Sequence, residues 1–301
     1  MISAQHTDNV TRGALLFIAF SLYAPMIDVF AKLAAEQVPA AEITFARFVL
    51  QTLFLTPIVL WRRIPLPDTM EEVWMHIGRG VLMAVATVFF FAALKHMPIA
   101  DAISIFFVEP LILIMLGAWL LGERVGWRRY AACAVGFFGA LIVIQPSFDE
   151  LGWTAALPLG TALTFALYMI LTRRLAPRTD AVAMQAWSGI AGAVFMSVVL
   201  LIGEGTGDPV FDPVWPDPEF MLYLLGVGFV ATTGHLLVVY ATRFAPASVL
   251  APLHYLEIVA GTIFGYLVFG DFMTADKWLG VAIVVASGLF IIWRERRLAE
   301  M

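Results

Sequence analysis

The sequence predicts an all-α membrane protein of ten transmembrane helices in two inverted-topology five-helix repeats, and three observations carry that prediction. Composition is the first: 61% of the 301 residues are hydrophobic and 14% are charged, against roughly 45–50% and about 25% in an ordinary soluble domain. The mean hydropathy of +0.88 agrees. The second is a series of continuous apolar runs, each near the roughly 20 residues that cross a bilayer as a helix. Barrel strands would alternate apolar and polar residues instead, so helices are the spanning structure. The third is an internal duplication.

The runs are 13–34, 41–61, 75–95, 98–121, 127–145, 153–172, 181–202, 219–242, 247–269 and 277–293. The first carries Asp28 and Lys32, four apart on one helix face and expected to pair with each other. It is read as a span and not a cleaved signal peptide, because it completes the first repeat. The second holds Arg47 in "ARF" and the third holds Arg79 in "GRG". The fourth opens on Pro98, carries Glu109-Pro110 and closes on Gly122-Glu123. The fifth contains the only cysteine, Cys133, a small packing residue that has no partner for an intramolecular disulfide. Tyr168, Trp187 and His235 lie in the sixth, seventh and eighth, and His235 is read as structural. The ninth, "APLHYLEIVAGTIFGYLVFGD", places His254, Tyr255 and Glu257 deep in hydrocarbon. Glu123 and Asp271, at helix ends near water, are expected to cap or to bridge the next helix.

Basic residues orient these spans. Thirteen arginines, from Arg12 through Arg297, fall on one side, while only Lys32, Lys95 and Lys277 fall on the other. Both termini are therefore placed in the cytoplasm, where the Asn9-Val10-Thr11 triplet has no meaning as a glycosylation acceptor. The loop 203–219, "GEGTGDPVFDPVWPDPE", then lies outside; its net charge of −5 equals that of the whole chain, and it reads as a solvated connector in preference to an acidic vestibule that attracts substrate.

Residues 97–144 align with 245–292 without a gap at an offset of 148. Pro98 meets Pro246, Glu109 meets Glu257, Gly117 meets Gly265, Gly122 meets Gly270 and Glu123 meets Asp271. Five spans per half, an odd number, invert the second copy relative to the first. The halves are assigned to residues 1–147 and 148–301. Inverted repeats build secondary transporters with sites near the midplane.

A carboxylate at the bilayer centre costs on the order of 3 kcal/mol on insertion scales and so marks a candidate site. Glu257 sits about ten residues, or about 15 Å, from either end of its span, and Glu109 is its repeat mate. His254 and Gly261 share the face of Glu257, and a Gly261-x-x-x-Gly265 spacing admits a neighbouring helix. A histidine and a carboxylate one turn apart can carry a proton between them. Pro110 and Pro252 each remove a backbone hydrogen bond beside these acids. Arg47 is placed to meet Asp28, Glu109 or a substrate carboxylate; Arg79 either meets an anionic group or snorkels to the cytoplasmic end. Phe106, Tyr168, Trp187 and Tyr255 are the candidate aromatic lining for a flat ligand.

The pair "VEPLILIMLGAWLLGERVGWRR" and "YLEIVAGTIFGYLVFGD", in ten spans of two five-helix halves, resembles the EamA family of the drug/metabolite transporter superfamily. "ARF", "GRG" and "APLHYLE" are similar to a subgroup that includes bacterial S-adenosylmethionine uptake and riboflavin carriers. The resemblance covers nearly the whole chain and implies a multi-pass carrier of the bacterial cytoplasmic (inner) membrane with both termini inside. The expected function is secondary transport of a small polar metabolite by alternating access, driven by protons or exchange. The expected partners are that substrate and the lipid bilayer, without nucleic acid, metal or cofactor, and homodimerisation is left open. A G-x-x-x-x-G-K-[ST] loop is absent, so the chain does not itself use ATP. An intramembrane enzyme is disfavoured because H-E-x-x-H and G-x-S-x-G are absent. A non-transporting scaffold or receptor would have no use for intramembrane acids.

Overall fold

The computed structural model describes residues 10–65, 67–120, 127, 131, 134–143, 152–175, 179–244, 253 and 256–299. Among them the regular structure is helical. In chain order the helices are α1 (Val10–Tyr23), α2 (Pro25–Ala34), α3 (Ala40–Trp61), α4 (Met70–Leu94), α5 (Ile99–Phe106), α6 (Glu109–Leu120) and α7 (Ala134–Val143). A short 3-10 turn (Gly152–Ala156) leads into α8 (Leu157–Leu175). Then come α9 (Ala181–Gly203), α10 (Pro218–Phe244), α11 (Leu256–Phe269) and α12 (Ala275–Ala299).

Seven helical segments among the described residues are long and apolar enough to cross a membrane. They begin at Thr11, Ala40, Met70, Ile99, Gly152, Ala181 and Pro218; Ala134–Val143 and Leu256–Phe269 are shorter apolar helices. Among the described residues each expected run overlaps a helix, and seven helical segments are of span length.

Two spans are broken where backbone chemistry demands it. Pro25 lacks an N–H, so the first span splits into α1 and α2 with Pro25 at the start of α2. The fourth span breaks at Phe107 and Val108, immediately before Glu109-Pro110, as the missing Pro110 donor predicts. Asp28 and Glu109 each lie in the first turn of the helix that restarts. The break at Pro25 is an addition to the uninterrupted first span expected from sequence.

Other termini follow local rules. Thr69 caps α4 by accepting from the Glu72 backbone N–H, with Glu71 and Glu72 in the first turn. Asp180 caps α9 through the N–H groups of Val182 and Ala183. The acidic loop is organised, not merely solvated. Asp212 accepts from the N–H groups of Gly205 and Gly207, both at positive φ. Gln37 and Asp217 exchange two hydrogen bonds, and Glu42 accepts from the Val214 N–H. These bonds pin the loop onto the start of α3 and engage carboxylates that a charged vestibule would leave open.

The helices pack across the sequence midpoint. α4 lies against α8 and α9, α3 against α9 and α10, α10 against α1 and α2, and α11 against α5. A Cβ on Gly80 would sit 2.8 Å from the Ser188 carbonyl oxygen, so α4 and α9 approach at backbone distance there. Gly261 likewise admits α5, since a Cβ there would lie 2.6 Å from Ile103 Cδ1. At Gly265, the other glycine of the G-x-x-x-G spacing, the nearest atom among the described residues is Asp271 Cβ at 4.0 Å, so the close approach is seen at Gly261.

Candidate substrate cavity

A cavity of about 140 Å³ lies inside the bundle, where α1, α2, α3, α4, α5, α8, α10 and α11 converge. Its polar lining is Asp28, Arg47, Thr87, Thr161, His235 and Glu257; its aromatic lining is Phe20, Phe90, Phe91, Phe106 and Phe165. On that volume measure a water occupies about 10–15 Å³, so the space suits a small molecule or several waters.

Asp28, 7% exposed, reaches the cavity from the turn that Pro25 restarts. Arg47, 5% exposed, enters from α3. One Arg47 Nη donates to the Thr87 hydroxyl, which itself donates to the Met83 carbonyl at 2.8 Å. The Arg47 guanidinium lies 5.3 Å from the Phe48 ring centroid, and its buried Nε has no hydrogen-bond partner among the described residues. A buried donor with spare capacity fits an anionic group. Glu257 comes from the first turn of α11. The His235 Nδ1 is 2.7 Å from the Ala231 carbonyl oxygen, which secures the ring against its own helix. Edge-on contacts, Phe90 to Phe106 at 6.0 Å and Phe106 to Phe165 at 5.5 Å, build the aromatic wall.

The sequence-predicted residues are thus partly assembled. Asp28, Arg47, Glu257 and Phe106 meet at the cavity. Glu109 is buried at the break before α6 and is not among the lining residues. His254 and Tyr255 lie outside the described residues, as do Pro252 and Glu123. Trp187 lines a different cleft. His235, expected to be structural, lines the cavity, and Phe20, Phe90 and Phe165 join it unpredicted. Apolar runs such as "VFFFAAL" place aromatics all round a helix, so no periodicity singles out Phe90.

Two expectations about charge are corrected. Arg79 does not snorkel: it is 1% exposed. It donates to Thr172 Oγ1 at 2.9 Å, to the Met184 carbonyl at 2.9 Å, to Ser188 Oγ at 2.8 Å and to Tyr168 Oη at 2.8 Å. Its guanidinium also lies 4.7 Å from the Tyr168 ring centroid. The fork therefore ties α4 to α8 and α9, and Tyr168 serves it as a hydrogen-bond acceptor. Lys32 does not pair with Asp28. It bridges Asp271 at 2.7 Å, donates to the Met97 carbonyl at 3.2 Å and covers the Phe269 ring at 4.6 Å. Asp271 accordingly reaches the first span and not the next helix. A second bridge, Lys277 to Asp101 at 2.5 Å, joins α12 to α5. Both bridges lie at the end of the bundle where α2 finishes and α12 begins.

An intramembrane cavity with ionisable residues, walled by broken helices, is the layout of a carrier. The profile of the EamA-like transporter family matches residues 11–145 and again 152–293. The chain belongs to the EamA-like transporter family. It is a multi-pass membrane transporter of a small molecule and not an enzyme. Over 265 residues it is 28% identical to a riboflavin transporter of Rhizobium johnstonii, covering 86% of this chain and 83% of that one. Over 274 residues it is 26% identical to an S-adenosylmethionine uptake transporter of Rickettsia felis, covering 90% and 88%. The pseudopaline exporter CntI of Pseudomonas aeruginosa is 26% identical over 293 residues, covering 95% of each. A solved crystal structure at 18% identity superposes with a TM-score of 0.64 over 96% of this EamA chain and 99% of the other, which supports the fold.

Proposed function

We propose that the chain is a secondary transporter that carries a small polar metabolite across the bacterial cytoplasmic membrane by alternating access, coupled to protons or to exchange. Ten spans in two inverted repeats, 1–147 and 148–301, with both termini in the cytoplasm, form its framework. The observation that carries the reading is Asp28, Glu257 and Arg47 around one aromatic-walled cavity inside apolar helices. Opposite charges on that wall suit a zwitterion, with its cationic group at Asp28 or Glu257 and its anionic group at Arg47. The phenylalanines suit a flat or cationic moiety. Amino acids, S-adenosylmethionine and flavins are the classes to try first, the last two because relatives carry those names.

On this topology the Lys32–Asp271 and Lys277–Asp101 bridges close the external end of the bundle. Glu109, as the repeat mate of Glu257, serves a coupling proton. The test is thermal stabilisation of the purified protein by amino acids, S-adenosylmethionine, flavins and nucleosides, with Glu257→Gln alongside. A compound that stabilises wild type and not the variant, and is taken up by proteoliposomes, supports the reading. Uptake with unchanged rate and pH dependence in Glu257→Gln removes Glu257 from the site.

A further inference from the structure

The two ion pairs where α2 finishes and α12 begins form one cluster. Lys32 meets Asp271 at 2.7 Å, and Lys277 meets Asp101 at 2.5 Å. The Asp101 charge also interacts with Asp271 and Lys32, so two ammonium groups and two carboxylates share one electrostatic unit. It is separate from the cavity, which none of the four lines. Elsewhere on the elements packed against α5, Lys95, His96, Tyr266 and Asp276 are exposed to water. Asp28 lies one turn deeper, at the cavity, and the near half of α8 carries no ionisable residue.

Asp101 is the unsatisfied member of this cluster. It is 1% exposed; one carboxylate oxygen accepts from Lys277, and the other, Oδ1, has no hydrogen-bond partner among the described residues. An ionised carboxylate has room for about four hydrogen bonds, so this one is far from saturated where water cannot complete it. A proton taken up at Oδ1 makes Asp101 a neutral acid and leaves Oδ2 as a carbonyl oxygen facing Lys277. The attraction across the pair is then lost. Two ammonium groups are left with Asp271 as their shared counter-ion, and Lys277, the more exposed partner of the broken pair, is drawn from α5 toward the segment that precedes its own helix.

That exchange reaches the cavity through α5. The helix is only eight residues long, because the chain breaks before Glu109-Pro110, so it can shift against α6 without unwinding. Ile103 and Phe106, two and five residues past Asp101, line the cavity, and Ile103 also packs against Gly261 of α11. What holds the start of α5 therefore positions part of the cavity wall. We propose that Asp101 is a proton-binding site apart from the cavity, and that a proton on its Oδ1 releases α5 from α12. On the topology proposed above that proton arrives from outside, and the inference rests on that reading only for this direction.

The test uses protons as the sole ligand. Spin labels at Lys95→Cys and Ala275→Cys, in a Cys133→Ala background in lipid nanodiscs, report the separation of the two helix ends from about pH 8 to about pH 4. Wild type is expected to pass from a shorter to a longer distance with the slope of one proton, the ratio of the two populations changing about tenfold per pH unit. Asp101→Asn/Lys277→Met removes the proton acceptor together with its counter-ion, so it strands no charge and should give one distance at every pH. Infrared difference spectra of the unlabelled proteins should gain the carbonyl band of a protonated carboxyl on acidification, smaller by one group in the double variant. A wild-type distance that ignores pH overturns the inference. So does a pH response that persists in the double variant, or an infrared difference that the variant leaves unchanged. No transport enters these measurements, so a failure of uptake would overturn the proposed function and leave the proton site standing.

Discussion

Substituting Lys277 by methionine separates two charge pairs that look alike in a contact map. Lys277 is 12% exposed in its side chain and Asp101 only 1%, so removing the ammonium strands a buried carboxylate. Breaking a buried pair from one side costs about 3–5 kcal/mol. Asp101 can recover part of this by taking up a proton, which sets the expected loss near the lower figure. A kilocalorie moves the midpoint by about 2–4 °C in chains of 150–250 residues, and this chain is longer, so the expected drop is on the order of 6 °C in detergent. The double variant Asp101→Asn/Lys277→Met has no stranded charge and should return to within about 1 kcal/mol of wild type. The Lys32–Asp271 pair is 18% and 28% exposed, and its loss in Lys32→Met should cost about 1 kcal/mol. Differential scanning fluorimetry of the four proteins decides. An unchanged midpoint in Lys277→Met, or a double variant that melts no higher than Lys277→Met, refutes the reasoning that Lys277 compensates the buried Asp101 carboxylate.

Arg79→Lys replaces a four-partner fork by a point charge. It should lower stability by on the order of 3 kcal/mol, read as a drop in the unfolding midpoint well beyond that of an exposed Arg62→Lys control. Gly261→Ala should cost about 1–2 kcal/mol through its clash with Ile103 Cδ1, and Ile103→Val, which deletes that atom, should relieve it in the double variant, measured by the same melts. Asp28→Asn should remove at least tenfold in affinity for any ligand that stabilises wild type, the weight of about one charge-assisted hydrogen bond; titration calorimetry checks it.

Helices were readable in the sequence because apolar run length answers directly to bilayer thickness. The break at Glu109-Pro110 was readable too, since a missing donor is a local property. Pro25 carries the same signal in the first span, where the continuous apolar run around it masks the break. Asp28, Arg47 and Glu257 could be singled out because each is costly in hydrocarbon. Their neighbours could not, because Phe20, Phe90 and Phe165 reach the cavity only through helix rotation and crossing, which no single run encodes. Pairing failed for a related reason. The i, i+4 spacing of Asp28 and Lys32 permits a bridge, but Asp271 lies 239 positions from Lys32 and wins it. Long-range competitors are invisible to spacing rules.

The cross-midpoint packing constrains how alternating access can proceed under the proposed function. A motion of residues 1–147 against 148–301 as two rigid blocks would pull α4 from α8 and α9. That separation breaks the Arg79 fork and uncovers the Gly80 crossing. A fully buried guanidinium that loses its acceptors without gaining water is penalised by several kcal/mol, more than a carrier can spare on each cycle. The contacts draw α3, α4, α8 and α9 into one set and α1, α2, α5, α10 and α11 into another, each from both sequence halves, and the two sets meet along a seam where α3 packs on α10. The cavity lies between the sets, with Arg47 and Thr87 from one and Asp28, His235 and Glu257 from the other. Moving one set past the other re-sizes the cavity and leaves the Arg79 fork intact. The bridges respond differently: Lys32–Asp271 joins the end of α2 to the residues after α11, within the second set, while Lys277–Asp101 ties α12 to α5. A pulsed-dipolar distance between spin labels on α4 and α9 should therefore stay fixed on ligand addition while one between α4 and α11 changes, and the reverse pattern would restore the half-against-half motion.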